Sequence, residues 1–193
     1  MITGSSVQFD RRWGLLLFAL GLWIWMAYSI ISHTATHTIK AVIIQSKTPL
    51  RTIESRVTPR KREELWIDKL YFPQGNELRH PIYGYLGYKN NFVIYLTMRV
   101  NSLRDQNITF DIYSDDGFRL WVDGKMVAQY PKDRPFRKST ATIFLPKGEH
   151  HIKLKYFQGY GQLGLKAVYR TDDGSSKLFG EDSNSLEFLE NDR

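Results

Sequence analysis

Apolar and polar residues alternate with a period of two through most of the chain after residue 90, the signature of half-buried β-strands. Phe92 to Val100, FVIYLTMRV, is rich in β-branched and aromatic residues and reads as a central strand. Further strands are predicted near 107–113, 118–122, 126–130, 138–145, 150–157 and 162–169. Ile152, Leu154 and Tyr156 alternate with polar neighbours, as do Leu163, Leu165, Ala167 and Tyr169. Turn clusters separate these runs. Ser114-Asp115-Asp116-Gly117 is one, and Asp123-Gly124, between two apolar runs, is a strong short hairpin signal. With no helical period after residue 65, the pattern predicts an all-β antiparallel sandwich over 65–180. An acidic tail over 181–193 carries Leu186, Phe188 and Leu189, which supply a closing strand or a packing surface.

The first third of the chain is patterned differently. Trp13 to Ile31 is uncharged throughout and rises about 28 Å as a helix, close to a hydrocarbon core of about 30 Å. Trp13 at one end, with Trp23 and Trp25 towards the other, suits headgroup levels, so a single transmembrane helix over 13–31 is expected, preceded by a tail over 1–12. Arg11 and Arg12 beside the helix favour a cytoplasmic N-terminus, although Lys40, Lys47, Arg51, Arg56, Arg60, Lys61 and Arg62 lie beyond it. Those seven bases, against Glu54 alone between residues 38 and 62, give the juxtamembrane arm over 32–64 its basic character. Such an arm is a solvated stalk, a contact for anionic membrane lipid, or a surface for a partner membrane protein. His33 and His37 share a helical spacing but lack a third ligand nearby.

Composition narrows the chemistry. There are no cysteines among the 193 residues, which excludes disulfides, thiolate metal sites and a cysteine nucleophile. The net charge of +7 resides wholly in residues 1–62, and the remainder is balanced. A neutral β-domain argues against nucleic-acid binding. No nucleophile elbow, HExxH or phosphate-binding glycine loop is present, so no catalytic residue is assigned and a non-enzyme is expected.

The stretch Phe110 to Val127, with Ser114-Asp115-Asp116-Gly117 and Arg119-Leu120-Trp121-Val122-Asp123-Gly124-Lys125, resembles the PA-14 domain, a lectin-like β-sandwich. Leu145 to Ile152, then Lys155-Tyr156-Phe157 and Leu163-Gly164-Leu165, are similar to that family's following strands. The resemblance implies the sandwich fold and a domain placed outside the cytoplasm. Combined with the anchor, it implies a single-pass protein with a cytoplasmic N-terminus and a periplasmic or extracellular β-domain. In sugar-binding members, two consecutive aspartates joined by a cis peptide hold a calcium ion that coordinates sugar hydroxyls. Asp115 and Asp116 match that pair. The adjoining loop, Gln158 to Gln162, offers carbonyls, Gln158 and a stacking ring at Tyr160, with Trp121 as a second stacking surface, but no asparagine. Two functions follow: a tethered module binding cell-surface or periplasmic glycan through calcium, or a non-catalytic accessory or scaffold subunit of a larger membrane complex. In the second, Trp13, Trp23, Trp25, Lys40, Arg60, Lys61 and Arg62 make the contacts.

Overall fold

A computed structural model describes residues 11–32 and 38–190. The tail over 1–10 and the His33/His37 pair lie outside these described residues. The chain divides into two units, 1–35 and 36–193. The first contains one helix, α1 (Arg11–Ser32), on which Trp13, Trp23 and Trp25 are exposed. Among the described residues, no helix is long and apolar enough to cross a membrane. This corrects the expected single-pass anchor and, with it, the N-in, domain-out placement.

The second unit starts earlier than the strand pattern suggested. Its strands are β1 (Ile39–Ser46), β2 (Pro59–Ile67), β3 (Tyr71–Gly75), β4 (Arg79–His80), β5 (Gly84–Tyr85), β6 (Phe92–Ser102) and β7 (Gln106–Asp115). They continue with β8 (Phe118–Val122), β9 (Lys125–Tyr130), β10 (Arg137–Leu145), β11 (Gly148–Gln158), β12 (Leu163–Thr171), β13 (Ser176–Leu178) and β14 (Leu186–Leu189). One sheet has seven strands in the order β2-β1-β6-β11-β8-β9, with β14 also on β6, and a second has five, β10-β7-β12-β13 plus β3 on β12. The central pair β6–β11 is antiparallel over its whole length, from Gly148 opposite Ser102 to Gln158 opposite Phe92.

Strand parity builds the core. Phe92, Ile94, Leu96, Met98 and Val100 of β6 point one way with Ile152, Leu154 and Tyr156 of β11 and Phe118 and Leu120 of β8. They meet Ile108, Phe110 and Ile112 of β7 and Leu163, Leu165, Ala167 and Tyr169 of β12 in one buried cluster. Each such side chain contributes about 1.5–3 kcal/mol on burial. The Asp123-Gly124 turn between β8 and β9 has positive φ at both residues, 50° and 77°, as the hairpin signal requires.

The expected basic arm over 32–64 is instead largely part of this sandwich. Ile39, Ala41 and Ile43 of β1 are fully buried against β6. Three of its seven bases are matched by acids on the neighbouring strand or beside them: Lys40 pairs with Glu64, Lys61 with Glu63 at 2.8 Å and Arg62 with Glu64 at 3.6 Å. Arg60 is exposed. The segment between β1 and β2 folds back over the outer face of the large sheet, where Leu50 and Ile53 bury against Val93 and Phe157. The expected acidic tail contributes as well, since β14 completes the edge of β6 and Phe188 enters the core.

Candidate ligand site at the Asp115–Asp116 turn

β7 ends and β8 begins at one end of the sandwich, where Asp115, the last residue of β7, leads into the two-residue turn Asp116-Gly117. The Asp115–Asp116 peptide bond is cis. Gly117 is dictated by close approach: a Cβ there would lie 2.7 Å from the carbonyl of Lys132 and 2.6 Å from the Phe157 ring. The turn is braced from several directions. Asp116 Oδ2 accepts the N–H of Gly159 at 2.8 Å, Oδ1 accepts that of Arg134 at 3.3 Å, and Ser114 Oγ donates to the Asp116 carbonyl at 2.6 Å. The Tyr156 hydroxyl donates to the carbonyl of Asp115.

Both aspartates are buried, 7% and 4% exposed, yet among the described residues neither has an ion-pair partner. Burial, followed by the neighbouring charge of Asp116, pushes the Asp115 carboxyl up to about 6, against the Phe136 amide and Arg134, which pull it down. Burial also raises Asp116, despite the amides of Gly159 and Arg134. Arg134 is itself committed elsewhere. Its guanidinium donates to Ser114 Oγ and Ser139 Oγ, both at 2.8 Å, and stacks 4.5 Å from the Tyr130 ring centroid.

A cleft of about 380 Å³ opens at this end, lined by Leu50, Arg51, Asp116, Asp133, Gly159 and Tyr160. Of the residues predicted from sequence, Asp116 and Tyr160 line this cleft, with Tyr160 65% exposed at the rim, and Asp115 adjoins it through its peptide bond to Asp116. Gln158 is next to them but fully buried, its Nε2 donating to the carbonyl of Gln162 and its Oε1 accepting from Tyr156. Trp121 is elsewhere: parity with inward Leu120 and Val122 turns it to the outer face of the large sheet, beside Tyr95 and Lys153. The basic residues Lys40, Lys61 and Arg62 are on β1 and β2 and do not line this cleft.

Sequence reasoning missed the 47–58 segment and Asn91. Asn91, at φ 51°, donates its N–H to the Gly159 carbonyl at 2.8 Å, and its Oδ1 accepts from the N–H of Leu50 at 3.0 Å. Asn91, in the turn before β6, thus ties the 47–58 segment to the 158–162 loop. Gly159 is pressed against Leu50, whose carbonyl would lie 2.7 Å from an added Cβ. Nothing local in the sequence marks a contact between residues so far apart.

The fit to a hard cation is one-sided. Buried carboxylates are normally paired or bound to metal, and this pair has no ionic partner. Each carboxylate has about four lone-pair sites, of which Asp116 engages two with amides. Among the described residues, no group of three or more His, Asp or Glu side chains is placed to hold a metal. A calcium ion with its six to eight oxygens would therefore be gripped by Asp115 and Asp116, with the rest of its shell from main-chain, water or ligand oxygens.

Comparisons with known proteins agree with this architecture. No family model matches the chain. The chain superposes on the "PA14 sugar-binding domain from RTX adhesin" with a TM-score of 0.58 and 15% identity, covering 75% of this chain and 96% of that one. The fold is PA14-like. An anti-sigma factor domain-containing protein from Clostridium clariflavum has the same architecture, at a TM-score of 0.55 and 18% identity over 78% of this chain and 46% of that chain. A curated protein, the anti-sigma-I factor RsgI3 of Acetivibrio thermocellus, is 25% identical over 91 residues. That match takes in 47% of this chain but 14% of the other protein, so the PA14-like chain spans a small part of its curated relative.

Proposed function

We propose that this PA14-like chain is a non-enzymatic recognition module that binds a glycan in the cleft beside Asp115 and Asp116. The observation that carries the reading is the buried aspartate pair, which has no ion-pair partner among the described residues and whose Asp116 lines a cleft with an exposed tyrosine at its rim. Calcium, when bound, would supply a positive centre able to coordinate vicinal hydroxyls. The chain's own residues do the rest. Asp115 and Asp116 grip the cation, Tyr160 offers a ring face to a sugar, Arg51 and Asp133 give polar contacts at the rim, and Asn91 and Arg134 hold the walls in place. The likeness to a structure described as a sugar-binding domain supports this reading. The two anti-sigma likenesses support a regulatory context in which glycan binding is the input signal.

The test is a glycan array probed with the full chain in calcium and in EDTA, alongside Asp115→Asn/Asp116→Asn. Calcium-dependent retention on defined glycans, abolished by the double substitution, is the expected result. Retention unaffected by both treatments would overturn the site, and no retention on any glycan would overturn the function.

A further inference from the structure

Trp121, placed by the sequence at the aspartate turn, lies instead in a groove of about 360 Å³ on the outer face of the seven-stranded sheet. Tyr95, Thr97, Lys153, Lys155 and Gly124 complete the wall, with two lysines and no carboxylate. Register explains the assembly. Lys153 of β11 sits between Thr97 of β6 and Trp121 of β8, while Lys155 sits between Tyr95 and Arg119. Two aromatic residues thus flank a central row of lysines diagonally, two strand spacings and two residues apart, roughly 12 Å between backbone positions.

The cations differ in their commitments. Lys155 Nζ donates to the Ile53 carbonyl at 2.6 Å and lies 5.7 Å from the Tyr95 ring centroid; burial lowers its pKa. Arg119 pairs with Glu54 and lies 5.7 Å from the Trp121 ring centroid. Lys153 is exposed in the middle of the groove and has no ion-pair partner among the described residues. The part of the sheet face left open beside the 47–58 segment, with flanking rings, an exposed ammonium and no acid in its lining, is complementary to a flat, anionic ligand.

We infer that this groove is a second binding site, independent of the aspartate cleft, and that it takes an acidic polysaccharide carrying uronate groups. The rings receive the C–H faces of pyranose units, and Lys153 receives a carboxylate between them. A neutral glycan would leave Lys153 without a partner. An acidic peptide would satisfy the lysine, but it has no need of two flat rings on either side.

The experiment measures binding of the full chain to oligogalacturonate by calorimetry in EDTA, which keeps calcium from the aspartate pair, so failure here and failure of the cleft are distinguishable. Oligogalacturonate is expected to bind, a neutral cello-oligosaccharide of equal length not to bind, and added salt to weaken binding by screening. Trp121→Ala should weaken binding about tenfold, the scale of one lost aromatic contact. Because Trp121 is partly buried, exposed Lys153→Glu is the companion variant, and it should abolish binding while leaving the melting temperature unchanged. Equal binding of polyglutamate would reduce the groove to a charge patch and overturn the proposal. So would equal binding of the neutral oligosaccharide, undiminished binding by either variant, or no binding of oligogalacturonate.

Discussion

Replacing Asp115 by Asn removes a charge that the fold accommodates poorly. Burial pushes the carboxyl up to about 6 in the folded chain, against an ordinary value of 3.8. At about 1.36 kcal/mol per unit, this difference disfavours the folded state by about 3 kcal/mol above pH 6. The sign follows from proton binding. Between pH 3.8 and about 6 the unfolded chain has lost this proton while the folded chain retains it, so folding stability falls as pH rises through that window. Asn keeps an oxygen for the Phe136 amide and carries no charge, so Asp115→Asn should be the more stable protein at pH 7.5 in EDTA. For a domain of this size the expected gain in melting temperature is roughly 6–12 °C. The gap should close as the pH is lowered to about 4, where both side chains are neutral. Thermal denaturation followed by circular dichroism from pH 4 to 8 measures it. A variant that melts below the parent at pH 7.5, or a gap that does not narrow on acidification, would refute the claim that this carboxylate is buried without compensation.

Other expectations are simpler. Calcium at about 100 times its dissociation constant should stabilise the parent by about 2.7 kcal/mol, with no effect on Asp115→Asn/Asp116→Asn; differential scanning calorimetry reads both. Gly117→Ala should cost about 2–4 kcal/mol in urea titrations, because its Cβ meets backbone carbonyl and a buried ring rather than a yielding side chain. Asn91→Ala removes the acceptor for the Leu50 amide and should lower stability by about 1 kcal/mol, with faster hydrogen exchange concentrated over 47–58. Phe110→Ala, at the centre of the core, should cost about 3–5 kcal/mol in the same titrations.

Much of the β-domain was legible because its strands are half-buried and therefore alternate. Residues 92–100, 118–122 and 150–157 were bounded within two residues of the observed strands β6, β8 and β11. The first two strands were obscured by charge. Lys40 and Arg62 are neutralised by Glu64 on the outer face of β1 and β2, and Lys61 by Glu63 on the other face of β2, so the run reads as a basic stalk when taken one residue at a time. At the site, the aspartates were marked by their turn. Trp121 was misplaced although parity with Leu120 already assigns it to the opposite face. Asn91 and the 47–58 wall could not be read, because pairing Leu50 with Asn91 depends on tertiary folding, not local pattern.

The edge of β6 is shared end to end by two strands from opposite limits of the folded unit. Ile39, at the start of β1, lies opposite Met98, and Leu189, at the end of β14, lies opposite Arg99. The polypeptide therefore enters and leaves this unit at neighbouring rungs of one ladder, about 3.3 Å apart along the strand. Such a unit can be spliced into a surface loop of another protein without prying that loop open. It can also be circularly permuted, with residues 38 and 190 bridged by a short linker and new ends cut at the exposed Asp123-Gly124 turn. Force applied through its natural ends would load both terminal strands against the same central strand, so β1 and β14 would resist as neighbours and not as opposite faces of the sandwich.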